Sequence, residues 1–180
     1  MPIGLTKPIE QPVAPQLSVG AAAPELPGIN WSKPTLITFL RHGGCPFAEA
    51  TIKAMRSWTS LYPNIQFVAV THGEQPLINS WLAEIGGAGD VTLIHDAERT
   101  LHGNWGIGYS TRNHFLGPGT IFRALGLIFQ GIRNRADTGT RWQRSAAFLV
   151  DAQGRVRWQQ LPDYAYQLPS IEAALHHVEF

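Results

Sequence analysis

Cysteine is almost missing: the 180 residues hold one, Cys45. A lone cysteine closes no intrachain disulfide, forms no CxxC redox pair and builds no cysteine zinc cluster. Charge is also scarce, at 15% of residues against roughly 25% in an average soluble domain. Fourteen basic and thirteen acidic residues leave a net charge of +1, too little for nucleic-acid binding driven by counterion release. No apolar run approaches the roughly 20 residues of a membrane span. Prolines at positions 2 and 8 interrupt the N-terminus too often for a secretory signal. The expectation is a cytoplasmic protein with no nucleic-acid partner and no membrane span.

Apolar and aromatic residues, by contrast, are plentiful. Hydrophobic residues make up 44% of the chain, with six Trp, eight Phe and four Tyr to fill a core. Glycine (18) and proline (13) together stay below the roughly 25–30% that marks low-complexity chains. The length suits one domain.

Residues 1–33 carry Pro2, Pro8, Pro12, Pro15, Pro24 and Pro27 with little apolar periodicity. They read as an extended arm, partly polyproline II, lying on the domain or a neighbour, with a solvated tail as the plainer reading. Residues 34–180 form the domain. Thr35–Leu40 is a nearly continuous apolar run, expected as a strand covered on both faces. Ile65–Val70 and Val91–Ile94 are further strands, and Phe148–Val150 with Val156–Trp158 is a hairpin around an Asp/Gly turn. Between them, Ala48, Ile52, Met55, Trp58 and Tyr62 give a helix over 45–62 one apolar face. Helices are also predicted over 76–85, closed by Gly86-Gly87, over 119–135 and over 169–178. The order β-α-β-α-β, an insert of about 105–141, then β-β-α, implies a layered α/β sandwich with helices on both faces.

Chemistry concentrates in Arg41-His42-Gly43-Gly44-Cys45-Pro46-Phe47. A strand ends, two glycines allow a sharp turn, and a helix starts with proline at its first position. Cys45 therefore falls at the helix N-cap, where the N–H groups of Phe47 and Ala48 and the helix dipole favour a thiolate. Arg41 or His42 adds to this if either points inward. A strand's carboxyl end facing a helix start is also where α/β folds place their chemistry, rather than deep core.

This corner resembles the active site of thioredoxin-fold proteins. It is most similar to the peroxiredoxin-like group labelled AhpC/TSA antioxidant, in its fungal branch with a Gly-Cys-Pro-Phe-Ala-Glu segment. Trp142-Gln143, Phe148-Leu149-Val150-Asp151 and Gly154-Arg155-Val156 resemble that group's penultimate hairpin, and the resemblance spans about residues 30–160. It implies a thioredoxin-like three-layer α/β/α sandwich with an N-terminal arm and a helical insert before the C-terminal hairpin. It also implies an arginine near the sulfur, for which Arg144 and Arg41 are the candidates. Three features depart from the pattern. His42 stands where a Thr or Ser is usual, Ala48 replaces a second cysteine, and no proline precedes the hairpin strand.

On this resemblance Cys45 is the catalytic thiol of a one-cysteine peroxidase-like oxidoreductase, passing through a sulfenate. It needs no cofactor, only an external thiol reductant such as glutathione or a thioredoxin-like partner. The small-molecule substrate is then a hydroperoxide, and Gly44, Pro46 and Phe47 shape its pocket. A second reading is a tailoring enzyme acting on an organic natural-product intermediate, with His42 as acid/base. A third is a non-catalytic interaction protein.

Seven histidines show no metal-ligand spacing, though His42, His72 and His95 fall at converging strand ends. The glycines of Gly103–Gly108 read as turn and lid rather than phosphate loop. The insert's stripe of Ile121, Phe122, Leu125 and Phe129 is expected first as core, then as a homodimer contact or a ligand wall. Trp105 and Trp142 bracket the insert and, with Phe122, are candidates for lining the mouth of the Cys45 pocket.

Overall fold

The computed structural model describes residues 7–9, 11–112, 114 and 117–177. Five strands form one sheet: β1 (Thr35–Phe39), β2 (Gln66–Thr71), β3 (Thr92–His95), β4 (Ala146–Val150) and β5 (Val156–Gln160), in the order β3-β2-β1-β4-β5. β1 is central. It pairs in parallel with β2 and antiparallel with β4, so Ile37 lies between Val68 and Phe148. β2–β3 is parallel and β4–β5 antiparallel. This is a thioredoxin-like α/β arrangement.

Strand alternation divides the core. Leu36 and Leu40 point to the face covered by α1 (Pro46–Leu61), α2 (Gln75–Glu84) and α5 (Ile171–Leu175). Ile37 and Phe39 point the other way, to Phe148, Trp105, Ile107 and Val156. α1 forms where the apolar periodicity predicts it, burying Ala48, Ile52 and Met55. The last helix stops at Leu175, short of the predicted 178, which lies outside the described residues.

The second face is covered by the short α3 (Thr100–Asn104) and by the chain's beginning. Ala14 donates to the carbonyl of Gly103, Gly20 to that of Val156 and Ala23 to that of Gly154, while Val156 donates to Ala21. Leu26 is buried there, beside Leu17, Ala23, Ile29 and Trp31. The described part of the arm is therefore packed, not a solvated tail, because its scattered apolar residues cover a sheet face that α3 is too short to close. Leu26→Ala should cost about 2–5 kcal/mol of stability in denaturant unfolding. A change within about 0.5 kcal/mol, as at an exposed site, would show the arm detached.

The insert holds α4 (Pro118–Phe129), which stops six residues before the predicted end at 135, at Gln130 and Gly131. Only Ala124 and Leu127 of its larger apolar residues pack on the core. Ile121, Phe122, Leu125, Ile128 and Phe129 are exposed, which overturns the expectation of a core stripe. An amphipathic pattern fixes that a face exists but not that the chain itself covers it.

Candidate active site

Cys45 is the N-cap of α1, with extended backbone (φ −70°, ψ 129°), and Pro46 occupies the first helical position. The N–H groups of Phe47 and Ala48 have no partner within the helix, yet the Cys45 side chain makes no capping hydrogen bond. A cation lies beside it instead: Arg41 Nη1 is 3.8 Å from Sγ. The guanidinium is fixed from the other side by Nε donating to the Arg141 carbonyl at 3.2 Å. The Arg41 main chain is also held, since His72 Nε2–H donates to its carbonyl. A buried cation clamped at both ends stabilises negative charge on a neighbouring atom without having to reorganise.

The two glycines do more than turn the chain. Gly44 adopts φ +83°, and a Cβ there would run into the carbonyl of Ala136; one on Gly43 would strike the Thr138 side chain. A strap formed by the loop after α4 lies directly on them. Arg135 N–H donates to the Gly44 carbonyl (2.9 Å), Gly43 N–H to Thr138 Oγ1 (2.8 Å) and Glu74 N–H to the Thr138 carbonyl (2.9 Å). Arg135 reaches back to Glu49 on α1 and to Glu84 on α2. The strap carries no apolar period, so these contacts have no sequence signal beyond Gly43-Gly44 itself.

Cys45 is only 2% exposed, more deeply placed than a strand end followed by two glycines suggests. Two cavities nevertheless reach it. One is a slot of about 20 Å3 between α1 and β4, lined by Thr38, Thr51, Ser145, Ala146 and Pro162, with room for about one water. The other is a groove of about 240 Å3 between the Cys45 loop and α4. Arg41, His42, Asn134 and Arg141 form its polar end, and Ile121, Ala124, Leu125 and Ile128 its apolar wall.

Pro46 and Phe47 line this groove, and Phe47 also lines the slot. His42 is buried, with Nδ1–H donating to the Gly43 carbonyl at 2.7 Å and 3.6 Å from Asp137 Oδ1. Arg144 is not brought to the sulfur. Its Nη2 donates to the carbonyls of Leu161 (3.4 Å) and Pro162 (3.1 Å). Trp105 lies across the sheet against Phe39 and Phe148, and Trp142 is buried away from both cavities. Phe122, 77% exposed, faces away from the groove. Bracketing the insert in sequence does not bracket its entrance in space. Arg141, Asp137 and Thr138 escaped the sequence reading because they act from the strap.

Beneath the loop lies a buried polar chain. The Asp96 carboxylate accepts from His102 Nδ1–H (2.7 Å) and from the His102 main chain (2.9 Å). His102 meets His72 edge to face, with ring centroids 5.4 Å apart. His95 instead contacts Gly73 near the surface. Among the described residues no group of three or more His, Cys, Asp or Glu side chains could hold a metal ion.

Burial sets the titration of this region. It holds His42 well below the ordinary histidine value and pushes His72 down to about 3 and His114 to about 4, with nearby cationic groups adding to the effect. Its hydrogen bonds to His102 hold the Asp96 carboxyl below its usual range despite burial. Below about pH 6.5 the unfolded chain protonates histidines that the folded protein keeps neutral, so it binds more protons and stability falls with pH. The melting temperature should be steady above that point and drop steadily toward pH 4. Each such histidine contributes at most about 1.4 kcal/mol per pH unit inside its window. A flat profile over that range would show these rings solvated.

A parallel–antiparallel sheet with a thiol at the first helix start defines a thioredoxin-fold protein built around one cysteine. The chain belongs to the AhpC/TSA antioxidant enzyme family, whose match covers residues 52–161, about three fifths of the sequence. The matched stretch begins after Cys45, so the placing of the thiol rests on the geometry above. The fold is similar to a peroxiredoxin-like protein from Aquifex aeolicus (16% identity, 91% of this chain and 87% of that chain, TM-score 0.60). It is also similar to a thiol peroxidase from Chromobacterium violaceum (14%, 91% and 87%, 0.61). A cysteine-to-serine mutant of the peroxiredoxin 6 of Arenicola marina matches as well (12%, 88% and 70%, 0.63). No curated protein matches the sequence. Membership supports a thiol-dependent redox function and calls for no prosthetic group. No helix among the described residues is long and apolar enough to cross a membrane.

Proposed function

We propose that the protein is a one-cysteine, thiol-dependent peroxidase in which Cys45 is the reacting thiol. The observation that carries this reading is the sulfur at the α1 N-cap, 3.8 Å from a clamped guanidinium and bordering two cavities. The thiolate attacks one oxygen of a hydroperoxide. An S–O bond forms, the O–O bond breaks, and the leaving alkoxide or hydroxide takes a proton, giving an alcohol or water and Cys45 sulfenic acid. Arg41 stabilises the thiolate and the negative charge that builds on the departing oxygen. A second thiol in this chain does not exist, so an external thiol attacks the sulfenate, releasing water and forming a mixed disulfide. A further thiol then frees Cys45 and leaves as the oxidised reductant.

The groove supports a small-molecule substrate and a reductant small enough to enter it, such as glutathione. The test is intact-mass analysis under mild peroxide. It should show the mass of one added oxygen, trapped by a sulfenate-specific nucleophile and reversed by thiol. A chain that gains no oxygen while peroxide persists would overturn the reading.

A further inference from the structure

We propose that the outward face of α4 docks on an anionic lipid bilayer. Ile121, Phe122, Leu125, Ile128 and Phe129 form one stripe along this helix, Phe122 being 77% and Phe129 92% exposed. The opposite face, through Ala124 and Leu127, is already packed on the core. A continuous apolar face of this kind marks a protein or membrane contact. The charge around it separates the two. Between Glu98 and Asp137 the sequence contains no acidic residue, whereas Arg112, Arg123 and Arg133 are all exposed and make no ion pair among the described residues. Of the acids on neighbouring segments, Glu49 and Glu84 pair with Arg135 and Asp137 with Arg141, and Asp163 lies by His114, ahead of the helix.

An apolar stripe on a segment that carries arginines and no acid suits the boundary between acyl chains and anionic headgroups, where phenylalanines insert and arginines meet phosphate and carboxylate. A second copy of the chain fits poorly. A two-fold contact along the stripe would set Arg123 against its own symmetry mate with no acid to answer it. Ile121, Leu125 and Ile128 wall the groove to Cys45 as well, so docking would set the groove mouth at the lipid boundary. The docking itself does not depend on what the thiol does.

The experiment is flotation of the full-length chain with vesicles of phosphatidylcholine alone and with about 30% phosphatidylserine. The expected result is association with the anionic vesicles, several-fold weaker on phosphatidylcholine alone or when salt is raised from about 0.1 to about 0.5 M. Exchanging both Phe122→Ser and Phe129→Ser should weaken association by about tenfold or more. Both sites are exposed, so the melting temperature should not move. Arg123→Gln with Arg133→Gln should abolish the preference for phosphatidylserine. The proposal is overturned if neither vesicle is bound, or if binding is unchanged in the phenylalanine variant. It is equally overturned if the stripe proves to mediate self-association, seen by light scattering as a dimer that the phenylalanine variant dissolves.

Discussion

A Cys45→Ser protein should fold and melt like the parent while peroxide turnover falls by on the order of a thousandfold or more. Serine is nearly isosteric, and Sγ makes no capping bond whose loss would weaken α1. Stability should therefore barely change, but a neutral hydroxyl neither attacks an O–O bond nor ends as a sulfenate. Peroxide consumption with excess thiol, measured beside thermal unfolding, separates the two effects. If the variant instead keeps an effect on an organic substrate, the thiol is dispensable. The scaffold would then be serving the tailoring chemistry in which His42, lining the same groove, is the acid/base group.

Arg41→Gln should slow both alkylation of Cys45 and peroxide consumption by roughly a hundred- to a thousandfold, the usual effect of removing one preorganised donor from a developing anion. Arg41→Lys should recover part of the rate, since an ammonium keeps the charge but not the fork that spans Sγ and the Arg141 carbonyl. Arg144→Gln is the control. Its guanidinium serves the carbonyls of Leu161 and Pro162, so thiol reactivity should stay within a factor of about two while stability declines modestly. Equal losses in the Arg41 and Arg144 variants would refute the assignment of the guanidinium to the sulfur. The readout is iodoacetamide alkylation at fixed pH, which isolates the thiol from the reductant.

The contrast between these arginines shows where the sequence was legible. Thr35–Phe39 is a nearly continuous apolar run, and such a run has few alternatives to a buried strand, so β1 and the loop that follows it can be located from sequence. The start of α1 was equally readable, because proline at the first position and the spacing of Ala48, Ile52 and Met55 agree. Residue order alone offered Arg41 and Arg144 on equal terms, because the direction of a side chain depends on what else crowds it. Arg41 points to the sulfur because the strap supplies the Arg141 carbonyl on its far side. The pairing of Trp105 and Trp142 at the pocket mouth fails because adjacency to an insert in sequence does not fix position in space: Trp105 packs in the core on the sheet face away from α1, and Trp142 lines neither cavity. The apolar face of α4 was visible, but its exposure was not, since periodicity says nothing about what a helix meets.

The strap has a consequence for the order of events after oxidation. With Gly43 and Gly44 bonded to Thr138 and Arg135, and α1 tied to the same segment through Glu49, the first turn of the helix has no slack to unwind. On the one-cysteine reading proposed above, a sulfenate formed there should stay in place, which favours a reductant small enough to enter the groove over a bulky redox protein. Substituting Gly44 would wedge the segment apart and trade that confinement for faster repair by large partners, at the risk of over-oxidation.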